Sequence, residues 1–164
     1  MALLRIRQFG DPVLRERAKE IEEITDVHRR FIDDMIETMR EAPGVGLAAT
    51  QVGVLERLFV WEVEEDHGVL INPVIVDRSN ERFTEPEGCL SLPGLTYEVE
   101  RDYEVTVQAL DAEMKPITIT GHDLLARVFQ HEIDHLDGVL FIDKIAEGER
   151  KEALGILRDQ VLGL

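Results

Sequence analysis

The clearest periodic pattern in the chain is a helical one in its first third. Apolar residues recur there every three or four positions, with charged residues between them, at Ile24, Val27, Phe31, Met35 and Met39. This spacing predicts an amphipathic helix between Thr25 and Met39 that packs one face on a sheet. Thr25 can cap the start of the helix, and the pair Pro43-Gly44 ends it soon after the last turn.

The middle of the chain changes to the patterns of β-strands. Leu58 to Val63 is apolar, and the pattern resumes from Val69 to Val76 after a turn expected at Asp66-His67-Gly68. Alternating residues predict further half-buried strands, with a break at the charged pair Arg101-Asp102. These alternating positions are Tyr97, Val99, Tyr103, Val105, Val107 and Ala109. A short strand containing Ile117 and Ile119 is expected after Pro116.

Helical spacing returns twice in the last third of the chain. One stretch runs from His122 to Leu136, and the other runs from Glu149 to Leu162 with Leu154, Leu157 and Val161 on one side. A helix, several antiparallel strands and two further helices indicate an α+β fold. Because repeats, linkers and shifts of composition are absent, we expect a single domain over residues 1–164.

Composition and charge exclude several classes of protein. The 164 residues carry 18 Lys and Arg against 34 Asp and Glu, a net charge of −16, and include one cysteine. One thiol rules out a disulfide-stapled scaffold. The negative charge argues against nucleic-acid binding through the whole surface, so no DNA partner is expected. The start of the chain has no signal-peptide pattern, and no apolar run reaches the roughly 20 residues of a membrane span. We therefore expect a cytoplasmic protein without a membrane partner.

The segment most suggestive of chemistry is His131-Glu132-Ile133-Asp134-His135. Two histidines four residues apart on a helix lie ~40° apart around its axis, so both imidazoles can reach one metal ion. Metal-dependent hydrolases use this spacing, with the glutamate between the histidines as general base. The alternative is that both histidines are ordinary helix residues satisfied by hydrogen bonds.

Apolar residues on two sides of this helix favour the metal interpretation. One stripe consists of Leu125, Phe129, Ile133 and Leu136, while Leu124 and Val128 share the face of the two histidines. A helix that is apolar on two faces is buried on both. Burying imidazoles and a carboxylate is costly without partners, and a metal ion supplies them. Leu124 and Val128 then either wall an apolar pocket beside the metal or belong to the ordinary core.

Cys89 is the remaining candidate for a metal ligand. Two imidazoles leave a tetrahedral ion one protein ligand short if a water is to remain bound. A lone cysteine is most often a small buried hydrophobic residue. Here Gly88 before it and a Pro93-Gly94 turn after it predict tight irregular backbone. A thiolate is also a chemically sensible ligand, because a metal ion deprotonates a coordinating thiol.

A third unusual run is Gly44-Val45-Gly46-Leu47-Ala48-Ala49-Thr50-Gln51. Its small residues allow the close approach of a ligand or of another backbone. It lacks the Gly-Lys-Ser/Thr ending of a phosphate-binding loop, so that reading is weak. The plain structural alternative is a tight connection between a helix and a strand.

Taken together, the three runs resemble the peptide deformylases, which remove the formyl group from new bacterial proteins. The family carries three motifs in this order, matched here by residues 44–51, 87–91 and 131–138. The likeness also covers residues 9–15 and Arg101, so it extends over nearly the whole chain. One such motif would be weak evidence, whereas three in order are highly specific. The fold then expected has antiparallel strands around a central metal-binding helix, with one helix before it and a C-terminal helix after it.

The resemblance implies a metal-dependent hydrolase that releases formate from formylmethionyl nascent chains. One divalent ion, Fe(II) or in its place zinc, nickel or cobalt, would be held by Cys89, His131 and His135. Glu132 would take a proton from the attacking water and later deliver it to the departing amine. The side-chain amide of Gln51 and the backbone N–H of Leu90 would donate hydrogen bonds to the formyl oxygen.

The resemblance also implies the substrate contacts. Backbone at Val45, Gly46, Glu87 and Gly88 would pair with the extended peptide. The methionine side chain would lie against Val45, Leu124 and Val128. Arg101 would contact the peptide or, alternatively, remain a solvated strand charge.

The motifs also bear on two other functions, a general metallopeptidase and a structural metal site, and on the ribosome as a partner. A general metallopeptidase could use the same histidines, but such enzymes normally complete the site with a histidine or carboxylate instead of a cysteine. A purely structural metal site needs four protein ligands, and the motifs offer three. Some deformylases dock on the ribosome through a basic C-terminal helix, whereas the charges of residues 148–164 cancel here. Docking through that helix is therefore not expected.

Overall fold

The structure, a computed structural model, describes residues 2–164 and confirms the α+β fold class. The helices are α1 (Asp26–Glu41), α2 (Leu124–Leu136) and α3 (Glu147–Leu162). The strands are β1 (Gly46–Ala48), β2 (Leu58–Val63), β3 (Asp66–Arg78), β4 (Arg82–Cys89), β5 (Leu92–Asp102), β6 (Glu104–Leu110) and β7 (Pro116–His122). An antiparallel sheet has the order β1-β2-β3-β6-β7, and β4 and β5 form a separate antiparallel hairpin. Helix α2 contacts strands of both sheets.

Helix α1 follows its predicted pattern except at one position. Thr25 caps it by accepting a hydrogen bond from the backbone N–H of His28, as expected from the sequence. Met35 and Met39 are fully buried in a core cluster shared with β1 and β2. Val27 is wrongly placed in the buried stripe, because it lies in the first turn and is 65% exposed.

Two strand boundaries and one whole strand differ from the sequence prediction. The turn between β2 and β3 is Glu64-Glu65, which begins two residues earlier than expected, and Glu64 adopts a φ of +57° there. The break between β5 and β6 falls at Tyr103 instead of at the preceding charged pair. Strand β4 was not predicted at all, because most of its residues are exposed and it lacks alternating apolar positions. It is held instead by backbone pairing with β5.

Helix α2 is fixed at both of its ends by backbone conformation. Asp123 has a φ of +56°, so the helix begins at Leu124 and the predicted start, His122, instead ends β7. Gly138 follows the other end with a φ of +74°, and a Cβ there would lie 2.6 Å from the carbonyl oxygen of Arg15. Only glycine fits both that conformation and that space, so the chain turns sharply after the segment that contains the two predicted ligand histidines.

Helix α3 packs on the β5 side of the molecule with part of its predicted face. Ala153 and Leu157 are buried in a core cluster with Leu14 and Leu92. Val161 does not share that burial, since it is the last residue but one of the helix and is 59% exposed. No helix within residues 2–164 is long and apolar enough to span a membrane.

Candidate metal centre and active site

Three potential metal-ligating atoms converge at one point beside α2. They are Sγ of Cys89 and Nε2 of His131 and His135, and the ligating atoms of these residues lie within 4.8 Å of one another. The two Nε2 atoms are 3.2 Å apart, and Sγ is 3.3 Å from Nε2 of His135. Around a tetrahedral ion with usual bond lengths, two such nitrogens are about 3.3 Å apart and a nitrogen and a sulfur about 3.6 Å. The three side chains therefore fit a single metal ion.

The hairpin between β4 and β5 positions Cys89. This residue ends β4 and is followed by the two-residue turn Leu90-Ser91. The register of β4 against β5 shifts between Gly88 and Cys89, so the backbone around Cys89 is irregular, as predicted. Pro93 and Gly94 lie inside β5 instead of in a separate turn, but Gly94 has a φ of +78° where the register with β4 shifts. The backbone N–H of Ser91 and the amide of Gln51 approach Sγ of Cys89 at 3.4 and 3.6 Å. Both donors are thus directed at the atom through which a cysteine binds metals.

The side chain of Glu87 fixes the orientation of His131. Its Oε2 accepts a hydrogen bond from the N–H at Nδ1 of His131 at 2.7 Å. The lone pair of Nε2 is then directed at the other two ligands. Burial alone would raise the pKa of Glu87, but hydrogen bonds from His131 and Arg101 overcome this and hold the pKa well below its usual range. The carboxylate thus stays ionised and holds one tautomer of the imidazole.

Glu132 lies on the cleft side of the same helix and is fully enclosed. Burial raises the pKa of Glu132 to about 7, a value suited to proton transfer near neutral pH. Its Oε2 has no hydrogen-bond partner among residues 2–164. A Cβ at Gly46 would lie 2.7 Å from Oε1 of Glu132, so the small residue of β1 makes room for the carboxylate.

Gln51 and Leu90 both lie close to Cys89. Oε1 of Gln51 accepts the backbone N–H of Ala48 at 2.9 Å, which turns its amide nitrogen toward Cys89 and toward Oγ of Ser91 at 3.2 Å. Leu90 stands in the turn directly after Cys89. The structure thus places two potential hydrogen-bond donors beside Sγ of Cys89.

A cleft of about 400 Å³ opens beside these groups. Every residue predicted for the site lines it, apart from Arg101 and His135. Val128 is buried in its wall, while Val45 and Leu124 are about half exposed. The alternative that Leu124 belongs to the ordinary core is therefore wrong, because its side chain borders open space. The lining also includes Pro43, Gly44, Pro86 and Arg127.

Comparison with known proteins identifies the family. A family model described as polypeptide deformylase matches residues 3–151. The chain belongs to this family. The peptide deformylase of Acidothermus cellulolyticus is 48% identical over 159 residues, which cover 97% of this chain and 88% of the relative. That of Halothermothrix orenii is 51% identical over 147 residues, covering 88% and 95%.

Solved deformylase structures share the fold. The peptide deformylase of Ehrlichia chaffeensis in complex with actinonin superposes with a TM-score of 0.93 and 37% identity, and 98% of each chain is covered. The peptide deformylase of Legionella pneumophila has a TM-score of 0.91 and 42% identity, over 96% of this chain and 95% of that one. The α+β arrangement described above is therefore that of the deformylases.

Arg101 does not occupy the place expected for a peptide contact. Its guanidinium is buried and donates to both oxygens of Glu87, at 3.1 and 2.7 Å, and to Asp134 at 2.7 Å. It is neither a cleft residue nor a solvated strand charge, so both interpretations of it are wrong. The physical reason is that its side chain is buried against Glu87 of β4, where it neutralises the carboxylate that orients His131.

Arg127 is the site residue that sequence reasoning missed. Its guanidinium donates to Glu87 at 2.8 Å and to the carbonyl oxygen of Val99 at 2.9 Å, and it stacks 4.5 Å above the ring of Phe83. The signal was present in the sequence, because Arg127 lies four residues before His131 and shares its helix face. An arginine on a face of buried histidines predicts a buried carboxylate partner.

Proposed function

We propose that this chain hydrolyses the formamide of N-formylmethionyl peptides and releases formate, as a single catalytic domain over residues 1–164. The observation that carries the proposal is the convergence of Cys89, His131 and His135 beside Glu132, in a chain of the deformylase family. Each of these residues falls in a motif by which the sequence resembles that family.

We infer that one divalent ion binds to the three ligands, Fe(II) in the cell and zinc, nickel or cobalt in its place. Two imidazoles and one thiolate suit all of these ions, so the identity of Fe(II) rests on the resemblance to the family. When bound, such an ion lowers the pKa of a bound water and polarises a carbonyl oxygen. Glu87 supports this role, because it leaves Nε2 of His131 free to bind.

Glu132 moves the proton in the proposed mechanism. Its carboxylate accepts a proton from the attacking water and delivers it to the nitrogen of the departing amine. The near-neutral pKa that burial gives Glu132 lets it act in both directions. Its enclosed position between α2 and Gly46 of β1 keeps the carboxylate at the reacting atoms.

Two donors bind the formyl oxygen as negative charge develops on it. They are the side-chain amide of Gln51 and the backbone N–H of Leu90. The hydrogen bond from Ala48 fixes the Gln51 amide before the substrate arrives. A preorganised donor of this kind contributes ~3 kcal/mol to transition-state stabilisation.

The substrate lies in the cleft as an extended peptide. Its backbone pairs with Val45 and Gly46 on one side and with Glu87 and Gly88 on the other. The methionine side chain packs on the apolar wall formed by Val45, Leu124 and Val128. The deformylase of Ehrlichia chaffeensis was solved with actinonin bound, and we expect actinonin to compete for the same cleft here.

The cellular setting follows from the substrate. Formylated nascent chains are made on cytoplasmic ribosomes, so we place the enzyme in the cytoplasm. Helix α3 carries nearly balanced charges, and we propose that any contact with the ribosome is transient and does not use this helix.

The direct test is hydrolysis of formyl-Met-Ala-Ser by protein loaded anaerobically with Fe(II) or Ni(II). Release of free amine and formate is expected, and no release would overturn the proposal. Cleavage of internal bonds in casein would instead indicate a general metallopeptidase. If the protein binds metal but shows neither activity, the metal site is structural.

A further inference from the structure

The two histidines of the proposed metal centre are held in different ways. Nδ1 of His131 donates to Glu87 at 2.7 Å. Nδ1 of His135 is buried and forms no hydrogen bond with any group in the described part of the chain. A metal-ligating histidine usually donates its second N–H to a carboxylate, a carbonyl or a water, which fixes its ring. The protein therefore does not orient the ring of His135 through a side-chain or backbone acceptor.

His135 is instead held through its backbone at the end of α2. It is the last residue but one of the helix, and its carbonyl oxygen accepts the backbone N–H of Gly138, just beyond the helix end, at 3.1 Å. The hydroxyl of Thr50, which is fully buried, donates to the carbonyl oxygen of His135 at 3.3 Å. Thr50 precedes Gln51, so the segment that carries the proposed oxyanion donor also contacts the helix end.

Arg57 binds the next carbonyl along the helix. Its Nη1 donates to the oxygen of Leu136 at 3.0 Å, and its Nη2 pairs with Asp137 at 2.9 Å. The side chain of Arg57 is 9% exposed. A cation is favoured at the C-terminal end of a helix, and only arginine presents two donors in a fixed fork to two acceptors. The backbone N–H of Ala18 donates to the same Leu136 oxygen at 2.8 Å, so this turn is bound from two sides.

We propose that Arg57 and Thr50 are positioning residues for the metal centre. By binding the last turn of α2, they set the place of His135 relative to the thiol of Cys89. The inference rests on the proposed function only in taking Cys89, His131 and His135 as metal ligands. In this proposal, the contacts at the end of α2 position His135 as the carboxylate of Glu87 orients His131.

The test measures binding of Co(II) to metal-free protein under anaerobic conditions, by competition with a chelator and by the visible absorption of the bound ion. Arg57→Met should raise the Kd for Co(II) about tenfold and alter the absorption bands. Thr50→Val should raise the Kd several-fold, and Thr50→Ser, which restores the hydroxyl, should bind as the native protein does. Arg17→Met is the matched control, because Arg17 approaches the same Asp137 at 3.7 Å from solvent.

Thermal unfolding of the metal-free variants separates positioning from a merely structural role. The proposal is overturned if Arg57→Met and Thr50→Val bind Co(II) with the native Kd and spectrum, even where Tm falls. Should Arg57→Met not fold, the pair Thr50→Val and Thr50→Ser decides alone. A protein that shows the expected losses of Co(II) binding but releases no formate would refute the proposed function and leave this inference intact.

Discussion

The two faces of α2 bury opposite kinds of side chain. One face places Phe129 and Leu136 against Phe59 and Trp61 of the five-stranded sheet. The other face buries Arg127 and the two histidines against the β4–β5 hairpin, where carboxylates and a thiol surround them. The apolar face needs only shape and volume, whereas each group on the polar face needs a specific partner. The first face should therefore determine stability, and the second should determine chemistry.

The largest expected effect is on the polar face, at Glu132. Replacing Glu132 by Ala should lower kcat/KM for formyl-Met-Ala-Ser by about 10³-fold, because general acid–base catalysis contributes on this order. Metal content should remain near the native level, since Glu132 is not among the three converging ligands. Steady-state kinetics with metal analysis of the same preparation checks both statements. Comparable turnover by the Ala variant would show that another group moves the proton.

The matching change on the apolar face is Phe129→Ala. Phe129 is fully buried and contacts Trp61 edge-to-face, with ring centroids 5.5 Å apart. Its loss should destabilise the fold by about 4 kcal/mol, measured by urea unfolding. Well below its lowered Tm, the variant should keep most of its kcat. A large loss of kcat in the folded variant would contradict the distinction between the two faces. Phe129→Leu repeats the test with less destabilisation.

Glu87→Gln sharpens the comparison within the polar face. The amide has nearly the shape of the carboxylate but lacks the charge that Arg101 and Arg127 neutralise. It also fixes His131 less firmly, so the metal Kd should rise roughly 10- to 100-fold. Chelator competition measures this change. Unaltered metal binding would mean that the hydrogen bond to Nδ1 of His131 does not matter for the site.

Gly46→Ala is expected to have the smallest effect of the four. Its new methyl group would press on Oε1 of Glu132, and the carboxylate must then shift within its enclosed space. We expect kcat to fall about tenfold while metal binding and Tm change little, because misplacement of a catalytic group costs rate rather than stability. Gly148→Ala, on the exposed part of α3 with nothing near its Cβ, is the control.

The apolar face was predictable from sequence, and the polar face only in part. Periodicity predicted α1, β2 and α2, because burial of apolar residues repeats with the period of each element. It missed β4, which is mostly exposed and held by backbone pairing. Motif spacing predicted the three ligands and Glu132.

The partners of the polar face could not be predicted, because they are distant in the chain. Arg101 binds carboxylates 14 and 33 residues away, so no local pattern distinguishes it from a solvated charge. Similarly, Arg57 reaches a carbonyl 79 residues away, and nothing around it in the sequence indicates that contact. The pairing of β4 with β5 and the packing of the hairpin on α2 bring Arg101 to its partners, whereas Arg57 reaches the end of α2 from the residue just before β2.

The most direct test of the central claim is an anaerobic titration of the metal-free protein with Ni(II) or Co(II), following formate release from formyl-Met-Ala-Ser. The account predicts no activity without metal and a linear rise that ends at one ion per chain. Full activity in the metal-free protein, or none after saturation with either ion, would contradict it.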